Sequence, residues 1–142
     1  EICNIDVKAT SADIKNSGRS PNITSFQRIR NAYTLNPDFI FFVLSIKHKM
    51  TNSIDLETGN AVGIMKIIDF NIYDLKLISD KDISYNPALG SGQLQIRNIH
   101  KVSSEQRDTV EFIKMLDRKF ISSKKGYEGW IEYAKQDSNK WI

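Results

Sequence analysis

Residues 1–10, EICNIDVKAT, alternate between apolar and polar side chains, and residues 38–47, DFIFFVLSIK, form a nearly continuous apolar run. Alternation is typical of a strand with one buried face. We therefore expect Ile5 and Val7 on one face, with Val7 turned inward, and Asp6 on the other. The apolar run has no polar face to offer water and is expected to form a fully buried strand.

A helix is predicted between these two strands. Apolar side chains recur at helical spacing over residues 26–33, either Thr24 or Ser25 can cap the helix, and Pro37 ends it. The order strand, loop, helix, strand over residues 1–50 favours parallel pairing of the two strands.

Beyond residue 50 the pattern indicates one or two strands within residues 62–78, a loop over residues 86–92 and a half-buried strand at residues 93–97. A capping box of Ser103 and Gln106 predicts a helix that ends near Ser122. The apolar stripe of that helix is expected to comprise Val110, Ile113, Leu116 and Phe120. An aromatic tail with Tyr127, Trp130, Tyr133 and Trp141 follows and is expected to dock on the core or on a subunit interface.

The length of 142 residues suits one domain with a substantial core, so we expect a single α/β domain over residues 1–142, with a mixed central sheet flanked by helices. A net charge of +3 permits an anionic partner without demanding one. The single cysteine, Cys3, excludes an internal disulfide and favours a reducing compartment, which here means the cytoplasm. The apolar run is far shorter than the roughly 20 residues that span a bilayer, so no membrane partner is expected.

Asp6 and Lys8 are the residues whose pattern points to chemistry. Two positions apart on a strand, they project from the same face about 7 Å apart along the backbone. The Asp6 carboxylate and the backbone carbonyl of Val7 offer the oxygen ligands that Mg²⁺ prefers. Lys8 beside such an ion could hold or deprotonate a water and steady negative charge on a phosphate. The predicted reaction is hydrolysis of a phosphodiester.

A second arrangement imitates this motif, with Asp38 followed by Ser45 and Lys47. On one continuous strand, however, Asp38 and Lys47 would lie about 30 Å apart. Packing of a buried strand is the better account of this segment.

The element order around Ile5-Asp6-Val7-Lys8 resembles the PD-(D/E)XK nuclease superfamily, and specifically its type II restriction endonucleases. The resemblance extends through the predicted helix and the apolar strand, which is roughly the first third of the chain. It implies that Asp6 is a metal ligand, that Val7 contributes its carbonyl and that Lys8 is the catalytic lysine. It further implies Mg²⁺-dependent cleavage of double-stranded DNA at a specific sequence, usually by a homodimer.

The chain departs from this family pattern at its start. In the family another metal-binding acid lies on a strand before the D-X-K strand, whereas only five residues precede Asp6 here. Glu1 is the one acid among them, and alternation places it on the opposite face. We therefore expect this chain to be the C-terminal part of a longer enzyme, with its N-terminal elements and the second acid upstream of Glu1.

Three groups of polar residues suit contacts to phosphates and base edges, because amide and guanidinium groups match the hydrogen-bonding pattern of DNA. The loop over residues 11–24 contributes Lys15, Asn16, Arg19, Ser20 and Asn22. The first helix contributes Arg28 and Arg30, and the strand at residues 93–97 contributes Gln93, Gln95 and Arg97 on one face.

Two other functions stay open at this point. One is a repair or recombination nuclease of the same superfamily. The other is a DNA-binding or interaction module without catalysis, in which Asp6 and Lys8 are only a solvated strand edge. His48 and His100 are 52 positions apart and isolated in the sequence, so each is interpreted as a surface or packing residue.

Overall fold

The structure, a computed structural model, describes residues 3–88, 92–123 and 128. In chain order the main elements of this part are β1 (Cys3–Ser11), β2 (Asn22–Ser25), α1 (Phe26–Leu35), β3 (Ile40–Ile54), β4 (Ala61–Asp74), β5 (Ile83–Asn86), β6 (Gln93–Ile96) and α2 (Thr109–Ser122). Two short 3₁₀ helices, Leu75–Leu77 and Asp80–Asp82, connect β4 to β5.

The strands form two three-stranded sheets. The first has the order β1-β3-β4, with β1 parallel and β4 antiparallel to β3, so the predicted parallel pairing and a mixed α/β class are confirmed. The second is antiparallel with the order β2-β6-β5. Its strand β2 begins within residues 11–24, which the sequence predicts to be a loop, so that prediction is wrong at its C-terminal end.

The core lies between one face of the first sheet, one face of the second sheet and the two helices. Phe41 and Val43 project into it from β3. Tyr33 of α1 packs edge-on against Phe39 and against Phe112 of α2, with ring centroids 5.1 and 5.0 Å apart. Since aromatic and aliphatic side chains from both sheets and both helices meet here, their burial stabilises the described part as one cluster.

The other face of the first sheet corrects two sequence-based expectations. Val7 does not turn inward: its side chain points away from the core and is 53% exposed, while Asp6 faces the core side. Likewise β3 is not fully buried, because Phe42 and Leu44 alternate with buried neighbours and are only partly covered. The described helices pack on one face of this sheet and leave its other apolar face uncovered.

The start of α2 also differs from the prediction. Asp108 caps the helix and forms a capping box with Glu111, whereas Ser103 lies outside the helix and donates its backbone N–H to Asp82. The fully buried side chains of α2 are Phe112, Met115 and Leu116. Of the predicted stripe, Leu116 is buried and Ile113 and Phe120 pack against the core, whereas Val110 is wrong, because it is 57% exposed. By contrast, the cap of α1 by Ser25 and the end of α2 at Ser122 agree with the prediction.

The aromatic tail lies outside the described residues, apart from position 128. Neither described helix is long and apolar enough to cross a membrane.

Candidate active site

Asp6 and Lys8 lie together on β1, as their spacing predicts. Because alternate side chains of a strand share a face, both project toward the core side at the rim of the sheet, and each side chain is about three-quarters covered. The Lys8 Nζ lies 3.1 Å from the Asp6 Oδ2. In parallel register Asp6 lies beside Val43 and Lys8 beside the buried Ser45. The Asp6 carboxylate and the Lys8 ammonium are thus held where the core meets solvent.

The Asp6 Oδ2 atom is buried and has no hydrogen-bond partner among the described residues, although it forms an ion pair with Lys8. The contact pairs the two charges at 3.1 Å, although its angles are not those of a hydrogen bond. A carboxylate oxygen in this state fits the role of a ligand for a hard cation. Within residues 3–88, 92–123 and 128, however, no group of three His, Cys, Asp or Glu side chains converges on one point. Asp6 can therefore supply one ligand of a metal site but not the site by itself.

Thr10 and His100 extend this face, and the sequence had no signal for their contact. Thr10 follows Lys8 by two positions on β1 and is buried, and its Oγ1 lies 3.1 Å from the Nε2 of His100. His100 packs in turn on Gly18, where an added Cβ would come within 2.7 Å of Nε2. Gly18 also has φ of +91°, so both space and backbone conformation require glycine there.

Tyr73 lies in the same row of the sheet as Asp6, one strand beyond Val43. Its hydroxyl donates a 2.9 Å hydrogen bond to the carbonyl of Ile99. Burial and the negative charge of Asp69 raise the pKa of Tyr73, so the phenol stays protonated at neutral pH. Its role here is to hold the segment that carries His100 against the sheet.

The polar loop and the polar strand, which are about 75 residues apart in sequence, come together in space. Arg19 forms a β-bridge with Asn98, and the Ser20 N–H donates to the carbonyl of Arg97. Asn22 pairs with Gln95 in the second sheet, and the Gln95 Nε2 donates to the Asn22 Oδ1 at 2.7 Å.

Several predicted DNA contacts therefore form one polar surface where the loop meets β6. Leu94 and Ile96 are buried, so Gln93 and Gln95 face outward, as the alternation predicts. The predicted DNA contacts that are exposed here are Lys15, Asn16, Arg19, Ser20, Asn22 and Arg97.

Arg30 corrects the expectation that two arginines of α1 extend this positive surface. Its side chain is buried, and it forms a bidentate ion pair with Asp117 of α2 at 2.7 and 3.1 Å. Arg28 lies on the exposed side of the helix. The two positions differ by about 200° around the helix, which is why one side chain faces solvent and the other faces α2.

The alternative motif at Asp38 is disfavoured by the geometry. Asp38 precedes β3, and Lys47 lies eight positions into that strand, beside Thr10 of β1. One extended strand therefore separates the two side chains, as expected.

Two comparisons with known proteins bear on this chain. The family profile described as type II restriction endonuclease HpaI matches residues 2–138. The chain is also similar to the type II restriction enzyme HpaI of Haemophilus parainfluenzae, with 58% identity over 140 residues that cover 98% of this chain and 54% of the relative. The chain thus spans about half the length of the curated relative that it matches.

Proposed function

We infer that this chain, which belongs to the type II restriction endonuclease HpaI family, forms part of the catalytic core of a larger enzyme. That enzyme would cut double-stranded DNA at a specific sequence. One observation carries the proposal within this chain: the Asp6–Lys8 pair on β1, in which a buried carboxylate oxygen lacks a hydrogen bond. In this proposal residues 1–142 act as one unit. Residues 1–50 hold the catalytic pair and the first polar loop, and residues 51–142 hold further strands, a second DNA-facing loop that precedes β6, and α2.

Asp6 and Lys8 would have complementary roles in the reaction. Asp6 would hold Mg²⁺ through its Oδ2, and the backbone carbonyl of Val7 is the second ligand proposed from this chain. Bound Mg²⁺ supplies charge stabilisation at the phosphate and lowers the pKa of a coordinated water. Lys8, whose ammonium lies 3.1 Å from the carboxylate, would orient the attacking water and neutralise charge that develops on the phosphate. The remaining ligands would come from the part of the enzyme that this chain does not span.

The test uses the full-length enzyme with Lys8→Ala and, separately, Asp6→Asn. Each variant is expected to lose about 10²–10⁴-fold in the rate of plasmid cleavage, because a positioned acid–base or charge-stabilising group contributes that much. Chelation of divalent cations by EDTA is expected to stop cleavage by the unmodified enzyme. Lys114→Ala, an exposed lysine on α2, is the matched control and should cut normally. Wild-type rates in either variant, with an unchanged melting temperature, would contradict the assignment.

The polar surface of the loop and β6 is proposed to contact the DNA. Here Gln93, Gln95 and Arg97 would read base edges while Lys15, Asn16, Arg19, Ser20, Asn22 and Arg28 position the backbone. Arg97→Ala is expected to weaken binding to the specific site by about 1–3 kcal/mol, since a bidentate contact to a base discriminates by that amount. The assay is a titration of catalytically inactive Lys8→Ala enzyme with specific and scrambled duplexes. Arg118→Ala, an arginine on α2 that is 67% exposed, is the control, and an equal effect of both changes would contradict the role of Arg97.

We further propose that the enzyme is a homodimer that works in the cytoplasm. A two-fold enzyme can place one active site on each strand of a symmetric DNA sequence.

A non-catalytic DNA-binding module is the second candidate function, favoured by the lack of a three-ligand cluster in the described part. Under that alternative, the full-length protein binds DNA equally with and without Mg²⁺ and leaves plasmid intact.

A further inference from the structure

A continuous apolar surface covers the side of the first sheet that faces away from the core. Six large apolar side chains from all three strands make up most of it, and these are Ile5, Val7, Phe42, Leu44, Phe70 and Ile72. Ile46 lies between them, beside Phe70, and Asp74 borders them beside Phe42. We call these six residues the outer face. Exposure reaches 58% at Ile5, 57% at Ile72 and 69% at Phe70.

The register makes the outer face one patch rather than scattered residues. Val7 lies beside Leu44, and Leu44 lies beside Ile72, so a row of three apolar side chains crosses the whole sheet. Ile5 lies beside Phe42 in the next row. Soluble monomers rarely leave contiguous apolar patches of this kind uncovered, and those that occur mark contact surfaces.

The described helices are not available to cover the outer face. Both α1 and α2 commit their buried side chains, among them Ile29 and Phe112, to the core on the opposite side of the sheet. The Arg30–Asp117 ion pair also binds the two helices to each other. Another segment is therefore needed to remove this surface from water.

We propose that the outer face is the docking surface for the part of the full-length enzyme that this chain does not span. The curated relative is about twice as long as the matched region, so an enzyme of that length has a second half of comparable size. A segment on the same polypeptide competes for this surface at an effective concentration in the millimolar range, which a separate copy does not reach in solution. Burial of six large apolar side chains gives the contact its driving force. The proposal rests on family membership and the sheet geometry, and it does not depend on cleavage.

The first test measures accessibility in the full-length protein. Ile72→Cys and, as a second reporter, Phe70→Cys are labelled with a maleimide, and labelling at each position is read by peptide mass spectrometry. Gln27→Cys on the exposed side of α1 is the matched control. We expect labelling at positions 70 and 72 to be at least about tenfold slower than at 27 in the native protein and equal in urea, because a buried site reacts only after local opening. Equal native rates, in variants whose melting temperature shows that they fold, would overturn the proposal.

The second test identifies the occupant. A photoreactive benzoylphenylalanine replaces Phe70 in full-length protein prepared as an equal mixture of ¹⁴N and ¹⁵N chains. The expected cross-links join position 70 to residues outside Glu1–Ile142 within chains of one isotope. Cross-links that mix the isotopes would assign the outer face to a second copy, and cross-links to residues 129–142 would assign it to the end of this chain. Either of these results would overturn the proposal.

Discussion

Replacement of Arg30 by alanine tests whether this arginine is structural. Arg30 donates two charge-assisted hydrogen bonds to Asp117, and it links α1 to α2 from a position where only 6% of the residue is exposed. Removal of the Arg30 side chain leaves the Asp117 carboxylate, which is 17% exposed, without this counter-charge. Breaking a buried ion pair from one side costs about 3–5 kcal/mol. Since Asp117 retains partial contact with water, we expect a loss near the lower end, about 3 kcal/mol.

The assay is urea unfolding followed by circular dichroism, with Arg28→Ala as the matched control on the same helix. The control is expected to change the free energy of unfolding by less than about 0.5 kcal/mol, as exposed substitutions usually do. At roughly 2–4 °C per kcal/mol for a chain of this size, Arg30→Ala should lower the melting temperature by about 10 °C. The double variant Arg30→Met with Asp117→Leu should recover much of the loss, since an apolar pair leaves no buried charge. Equal effects of Arg30→Ala and Arg28→Ala would refute the structural role.

Two further predictions concern backbone space and acid stability. Gly18→Ala is expected to destabilise the protein by about 1–3 kcal/mol in thermal unfolding, because it combines a strained φ with overpacking against His100. Gly59→Ala, at φ of +69° in open space, should cost less stability, and a larger loss at Gly59 than at Gly18 would contradict the role of overpacking. A hydrogen bond from Lys119 holds the pKa of Asp80 below its usual range. The ionised Asp80 carboxylate therefore stabilises the fold at neutral pH, and this contribution is lost as the pH falls below about 4 and through the lowered pKa. Lys119→Met should therefore make unfolding less dependent on pH in that range, and an unchanged acid profile would contradict the coupling.

The local elements were largely predictable from the sequence. Alternation located β1 and β6, helical spacing with the Ser25 cap located α1, and the strand–helix–strand order indicated the parallel pair of β1 and β3. These features depend on neighbouring residues, whose periodicity is visible in one chain. The capping box of α2 was misplaced because Ser103 and Gln106 have the right residue types for a cap, while tertiary contacts place Ser103 against Asp82.

The candidate site was predictable only in part. The proximity of Asp6 and Lys8 follows from their spacing on one strand, whereas the contact of Thr10 with His100 joins residues 90 positions apart. The buried role of Arg30 had no local signal either, because its partner Asp117 lies 87 positions away.

Alternation along β1 already indicates which of its side chains share a face, since it groups Asp6 with Lys8 and Ile5 with Val7. Which of these faces turns toward the core depends on the packing of distant elements, and in the folded chain the polar pair faces inward and Val7 faces outward. The physical reason is that alternation defines two sides of a strand without labelling either, and a strand apolar on one side can pack that side on any element that reaches it. Here the helices α1 and α2 pack on the side of Phe41 and Val43, and the register of β1 with β3 then places Asp6 on that same side.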